Sequence, residues 1–355
     1  MSASPQDLIR PEIMALSAYH VPPAVGMIKL DAMENPYHLP EQLRDVVSDV
    51  AHGVSLNRYP DASAAKLKST LRQAMQIPEA CGLVLGNGSD ELIQIIAMAL
   101  AKPGAAILTI EPSFVMYRMI ATFCGMRYVG VPLREDFSLD FGALIAAIEQ
   151  EKPAVIFISY PNNPSGNLFA VEDIEAIIKA APGLVVIDEA YTPFAGKSFM
   201  PRLAEFSNLI VMRTLSKLGL AALRLGYMAG AREWMDEFEK LRLPYNINSL
   251  TQEIAARVLE SGEALQAQAE TIVAERTRVY HELAGMTNVK VFRSQANFLL
   301  LHVADALQVF NGLKARQILV KNLHGAHPML DNCLRVTIGT PAENDAFLNV
   351  LSELL

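Results

Sequence analysis

The sequence predicts an α/β protein in which a large domain, built on a mostly parallel and doubly wound sheet, is joined to a smaller α+β domain. Three observations carry this. Between about Leu83 and Leu225, short apolar runs alternate with helix-like stretches, the pattern of parallel strands linked by crossover helices. Several of the runs are unbroken Val, Ile and Leu, as strands covered on both faces require. Beyond about Thr251 the pattern changes to long helical stretches with a few short strands.

Residues 1–45 carry Pro5, Pro11, Pro22, Pro23, Pro36 and Pro40 and read as an irregular arm packed near the small domain. Residues 46–250 form the large domain. Its expected strands are Leu83–Leu85, Ala106–Ile110, Tyr128–Val131, Ala154–Ser159, Leu184–Ile187, Leu209–Met212 and Leu225–Ala229. Expected helices between them include Asp90–Ala101, Phe141–Gln150 and Val171–Ala181. Residues 251–355 form the small domain, with strands at Phe298–His302, Ile318–Val320 and Leu334–Ile338 and a last helix near Ala342–Leu355. In doubly wound sheets, ligands sit beyond the carboxyl ends of the strands, so residues just after strands are the candidates for chemistry.

Composition narrows the class. With 355 residues, 51% of them apolar, the chain has room for both domains and is not disordered. The 30 Lys and Arg against 38 Asp and Glu give a net charge of −8 without a basic cluster, which argues against a nucleic-acid or anionic-membrane surface. The start, MSASPQDLIRPE, lacks the apolar core of a secretory signal. The stretch Leu92–Leu108 is interrupted by Gln94 and by Lys102-Pro103-Gly104, too soon for a membrane span. The expected location is the cytoplasm. Cys81, Cys124 and Cys333 are odd in number and widely spaced, as buried thiols of a reducing compartment are. The seven histidines show no metal-ligand spacing, and His324 and His327 read as loop residues.

Four loops stand out, each after an expected strand. Gly86-Asn87-Gly88-Ser89-Asp90-Glu91 can cap the following helix, and its glycines let backbone N–H groups face an anion; alone it is only a capped turn. Ser159–Asn167 (SYPNNPSGN) offers paired asparagine amides, on a backbone that Pro161 and Pro164 are expected to hold extended. Asp188 follows four apolar strand residues, where a carboxylate is costly without a cation or donors; Glu189 beside it is read as a solvated neighbour. Lys217 lies among small and apolar residues, where desolvation lowers an amine's pKa and makes it nucleophilic. Thr214 and Ser216 precede it and Arg224 follows. Together the loops supply what pyridoxal phosphate needs: a lysine for its aldehyde, an acid for its ring nitrogen, donors for its phenolate oxygen, and an anion pocket for its phosphate.

On these residues the chain resembles the fold-type-I pyridoxal-phosphate aminotransferases, most closely their histidinol-phosphate members. The resemblance covers nearly the whole chain: Lys29–Tyr37 (KLDAMENPY), Asn57–Asp61 (NRYPD), GNGSDE, PNNPSGN, VIDEAY, TLSK and Cys333–Thr340 (CLRVTIGT). It implies pyridoxal phosphate bound to Lys217 as an internal aldimine, with that lysine also the proton shuttle. Asp188 would pair with the ring nitrogen, and Tyr191 and Asn163 would donate to the phenolate oxygen. Ser89, Asp90, Ser216 and Arg224 would hold the phosphate, with Thr214 assisting, and Phe114 would stack on the ring. Tyr59 would reach the phosphate of a neighbouring subunit, which implies a homodimer. Arg335, with Tyr19 and Lys321, would bind the substrate, Arg335 gripping its anionic group. Phe114 stands where a tyrosine is expected, and Lys321 where a second arginine is; the lysine brings a point charge in place of a fork. The implied substrates are histidinol phosphate, a phosphorylated amino alcohol, and 2-oxoglutarate. Aromatic amino-acid transamination and threonine-phosphate decarboxylation remain open on the same fold. A dinucleotide-binding dehydrogenase is not supported, because GNGSDE lacks the third glycine of that fingerprint. Neither is a regulator, because no spare DNA-binding segment is visible.

Overall fold

The structure is a computed structural model that describes residues 3–18 and 21–355. Its strands are β1 (Ile28–Leu30), β2 (Gly82–Asn87), β3 (Ala106–Glu111), β4 (Arg127–Pro132), β5 (Val155–Ser159), β6 (Leu184–Asp188), β7 (Leu209–Thr214), β8 (Leu225–Gly230), β9 (Lys290–Val291), β10 (Phe298–His302), β11 (Ile318–Asn322) and β12 (Cys333–Thr337). Strands β2 to β8 form a seven-stranded sheet in the order β2-β8-β7-β6-β5-β3-β4. The pairs β3·β4, β3·β5, β5·β6 and β6·β7 are parallel, while β8 runs against both its neighbours, β2 and β7. The expected mostly parallel sheet is therefore present.

Alternate residues of its central strands feed two different layers. Val155, Phe157, Val186, Ile210 and Met212 join one apolar cluster, and Ile156, Ile158, Val185, Ile187 and Val211 join the other. Because both faces are covered, no position on these strands can be polar without loss. Each such side chain is worth roughly 1.5–3 kcal/mol when fully buried, which accounts for the unbroken apolar runs in the sequence.

The flanking helices start and stop for local reasons. Asp140 Oδ1 accepts from the Ala143 N–H (3.1 Å) to open helix Phe141–Glu151, which ends at Lys152 in the left-handed region (φ 45°). Thr340 and Glu343 form a reciprocal capping box at the start of Pro341–Leu354. Further helices of this part of the chain are Glu41–Gly53, Ala65–Ala74, Met116–Phe123 and Arg232–Glu239.

The direction of the strands sets the site. The carboxyl ends of β2 to β7 lie along one edge of the sheet. Antiparallel β8 begins at that same edge, so Arg224, the residue before it, returns to where the other loops emerge.

The second sheet, in the order β1-β11-β12-β10-β9, is built mainly from the C-terminal third. The arm is not irregular throughout, as expected from its prolines. It holds helical turns Pro5–Leu8 and Pro11–Met14, and β1 pairs in parallel with β11 (Ile28↔Ile318, Leu30↔Val320). That pairing draws Ala32, Met33 and Glu34 over the edge of the large sheet, where they line the cleft. In the antiparallel pair β11·β12, Lys321 lies opposite Arg335, so both project from one face. Cys81 and Cys333 are buried and Cys124 is half-buried. No helix among the described residues is long and apolar enough to cross a membrane.

Candidate active site

Asp188 closes β6 and is 3% exposed. Its Oδ2 accepts from the Tyr117 hydroxyl (2.7 Å) and its Oδ1 from the Ala190 N–H (3.1 Å). Burial pushes its carboxyl up to about 6, a rise that the two hydrogen bonds oppose and that the charges of Asp90 and Glu189 reinforce. Glu189 is not the solvated neighbour expected of it. It is 1% exposed, ion-paired to Arg213 (2.8 Å), and accepts from Ser198 Oγ (2.8 Å) and the Phe199 N–H (2.5 Å). Adjacent strand-end residues point to opposite faces, so Glu189 turns away from the cleft and locks the back of the loop.

Lys217 follows β7 on the short helical turn Ser216–Leu220, which breaks at Gly219 (φ 113°). A Cβ there would approach Asn35 Nδ2 to 3.0 Å, so this left-handed position needs glycine on two counts. The lysine Nζ donates to the Ala32 carbonyl of the arm (3.2 Å). Burial lowers its amine to about 8; the positive charges of Arg335 and Arg224 add to this, while Glu34 and Asp90 oppose it.

An anion cradle forms beside it. Helix Ser89–Leu100 begins after Gly88 (φ 87°), which has no side chain to cap the first turn, leaving first-turn N–H groups and the positive end of the helix dipole facing outward. A Cβ on Gly88 would sit 2.5 Å from Arg224 Nη2, and one on Gly226 would sit 2.7 Å from the Ser89 nitrogen. The two glycines thus let the guanidinium and strand β8 close on the helix start. Arg224 Nη1 donates to Ser216 Oγ (3.4 Å), which also accepts from Thr214 Oγ1 (2.9 Å).

Asn163 and Tyr191 form the opposite wall. Asn163 Nδ2 donates to the Tyr191 hydroxyl (3.1 Å), and its Oδ1 accepts from Arg335 Nη1 (2.6 Å). Arg335 Nη2 donates to the Asp31 carbonyl (3.0 Å), and its guanidinium lies over the Phe298 ring (5.4 Å). The two asparagines divide the work: Asn162, fully buried, ties its loop to the next by donating to the Pro112 carbonyl (3.0 Å) and accepting from Ser113 Oγ (2.9 Å). The loop does not run extended as expected. It folds back, with Asn162 N–H on the Asn167 carbonyl (2.9 Å) and Gly166 N–H on the Asn162 carbonyl (2.7 Å).

Ten of the residues singled out from sequence line one cleft of about 450 Å³: Ser89, Asp90, Phe114, Asn163, Asp188, Tyr191, Thr214, Ser216, Lys217 and Arg224. Arg335 and Lys321 line an adjoining cavity of about 660 Å³ that shares the Met33, Phe114 and Asn163 wall. Tyr59 does not enter the cleft of its own chain. It is 80% exposed and stacks on Tyr245, with ring centroids 4.5 Å apart. Tyr19 lies outside the described residues. The sequence reading missed Tyr117, which grips Asp188, and the Ala32 carbonyl, which meets Lys217. Tyr117 stands three residues after Phe114, a helical spacing that could have marked it.

The family model for aminotransferase class I and II matches residues 25–351. Histidinol-phosphate aminotransferase of Chromobacterium violaceum is 53% identical over 351 residues, 99% of this chain and 99% of that protein. Histidinol-phosphate aminotransferase 1 of Ralstonia nicotianae is 53% identical, covering 98% of this chain and 94% of its own. The crystal structure of the Sinorhizobium meliloti histidinol-phosphate aminotransferase with pyridoxal 5′-phosphate superposes with a TM-score of 0.87 at 23% identity, over 98% of this chain and 97% of that one.

The buried carboxylate has a consequence for stability. Asp188 holds its proton more tightly in the folded chain (about 6) than at its usual value of 3.8. Its contribution is complete below the lower value and lost as pH rises through the upper one, so at pH 7 the buried charge costs about 3 kcal/mol. Asp188→Asn is expected to stabilise the cofactor-free chain by about 2–3 kcal/mol at pH 7 in urea unfolding, and to lose that advantage below about pH 4. Equal stability of the two chains at pH 7 would contradict this cost.

Proposed function

The chain belongs to the aminotransferase class I and II family, and from that premise we propose that it is a pyridoxal-phosphate-dependent transaminase of histidine biosynthesis. Its reaction converts L-histidinol phosphate and 2-oxoglutarate into imidazole-acetol phosphate and L-glutamate. The observation that carries this reading is the convergence of Lys217, Asp188 and the Ser89–Arg224 anion cradle on one cleft. The substrate assignment is supported by relatives that share half the sequence over almost the full chain and carry that name.

The residues fit the cofactor on chemical grounds. A dianionic phosphate matches an uncapped helix start flanked by Arg224 and the Ser216 hydroxyl, a close approach that Gly88 and Gly226 permit by lacking side chains. A protonated ring nitrogen matches the buried Asp188 carboxylate, and a phenolate oxygen matches Tyr191 and Asn163, with Phe114 placed to stack on the ring. When bound, pyridoxal phosphate supplies an aldehyde for the amino group and a ring that draws electrons from the adjacent carbon.

The chain's own groups do the rest. With its amine near 8, Lys217 holds a useful free-base fraction at neutral pH, both to bond the aldehyde and to take a proton from the substrate's amine-bearing carbon. Asp188 keeps the ring nitrogen protonated. Arg335, with Lys321 opposite it in register, binds the substrate's anionic group, and Tyr19 is a further substrate-binding residue. These few cations act locally against a net charge of −8. We place the arm at residues 1–45, the cofactor domain at 46–250 and the substrate-anion domain at 251–355, in a cytoplasmic homodimer whose Tyr59 completes the neighbouring site.

Two experiments test this. Lys217→Ala is expected to abolish both transamination of histidinol phosphate and the attachment of cofactor that borohydride makes permanent; retention of both would overturn the assignment. Tyr59→Ala and Lys217→Ala chains, each nearly inactive alone, are expected to recover about a quarter of wild-type activity when refolded together one to one, because half the dimers then hold one intact site. No recovery would remove Tyr59 from the neighbour's site.

A further inference from the structure

We propose that Tyr117 is a positioning residue for Asp188, orienting its carboxylate and keeping it the anion that faces the cofactor's ring nitrogen; this rests on the function proposed above. Tyr117 lies in the helix Met116–Phe123 that follows the Phe114 loop, and it is fully buried. Its ring stacks on Phe157 of β5 (4.9 Å between centroids, 15° between planes) and meets Phe114 edge-on (5.6 Å, 87°). Held from both sides, the ring cannot swing its hydroxyl elsewhere. That hydroxyl donates to Asp188 Oδ2 at 2.7 Å, while Ser159, which pairs in register with Asp188, gives its own hydroxyl to the Pro161 carbonyl (3.0 Å).

Packing alone does not account for the oxygen. A phenylalanine would fill the same space without a polar atom, and a buried hydroxyl is costly unless it is paired. Burial and the neighbouring Asp188 charge raise the Tyr117 phenol well above its usual value, so it stays a donor at every working pH. Opposing forces act on Asp188. Burial, Asp90 and Glu189 favour its neutral form, while Tyr117 and the Ala190 N–H favour the anion. The Tyr191 phenol also bears on the Tyr117 hydroxyl and raises it further. Among the described residues, Tyr117 is thus a side chain that counters those acids directly, by donating to the carboxylate. Without it the carboxylate becomes more basic and draws the proton off the ring nitrogen, weakening the electron sink.

The test compares wild-type holoenzyme with Tyr117→Phe, whose ring keeps both aromatic contacts. Thermal unfolding of the two cofactor-free chains checks that packing is intact. The pH midpoint of the bound cofactor's near-visible absorbance is expected to rise by about one unit, the scale of one hydrogen bond to a charged group. The kcat is expected to fall about tenfold while KM for histidinol phosphate changes less than about threefold. An unmoved or lowered midpoint overturns the role of Tyr117 and leaves the function intact. A wild-type chain that takes up no pyridoxal phosphate overturns both.

Discussion

Burying the Asp188 carboxylate beyond the apolar end of β6 costs free energy that two hydrogen bonds return only in part, and much of the site is arranged around that imbalance. The group is kept dry because β5, β6 and β7 are covered on both faces, and it is kept charged by donors that cannot move away. Lys217 faces the opposite problem in the same cleft: burial and two nearby guanidinium groups drive its amine toward the neutral form. An acid raised toward neutrality and an amine lowered toward it thus share one dry space. Groups poised in this way can exchange protons near neutral pH. A structure optimised for stability alone would contain neither.

Strand direction turns this local chemistry into one site. Six strands, β2 to β7, deliver their following loops to a single edge, and the reversed β8 returns Arg224 to the same place. The second sheet contributes through two contacts. Arg335 reaches across to Asn163, and β1 docks on β11 so that the arm's carbonyls meet both Arg335 and Lys217. Cofactor-side and substrate-side groups are therefore linked by the protein's own hydrogen bonds.

Much of this was legible in the sequence, and the boundary is physical. The central strands of the large sheet announced themselves as apolar runs because a strand covered on both faces buries nearly every side chain before its carboxyl end. The four loops were legible because each is contiguous, with its residue types spelled out after a strand. Contacts that depend on distant partners were not. Strand β1 is three residues long with a lysine in the middle, and only β11 makes it a strand. Glu189 looked like a surface acid because its partner Arg213 comes from the next strand. Tyr117 looked like a core aromatic, which it also is; its hydroxyl acquires meaning only when β6 brings Asp188 against it.

The central claim is that this cleft holds its lysine as a reactive amine, and the most direct measurement is the titration of Lys217 itself in the cofactor-free chain. The rate of its modification by an amine-directed reagent, followed against pH by mass spectrometry, is expected to show a midpoint near 8. A midpoint at the ordinary lysine value of 10.5 would contradict the account.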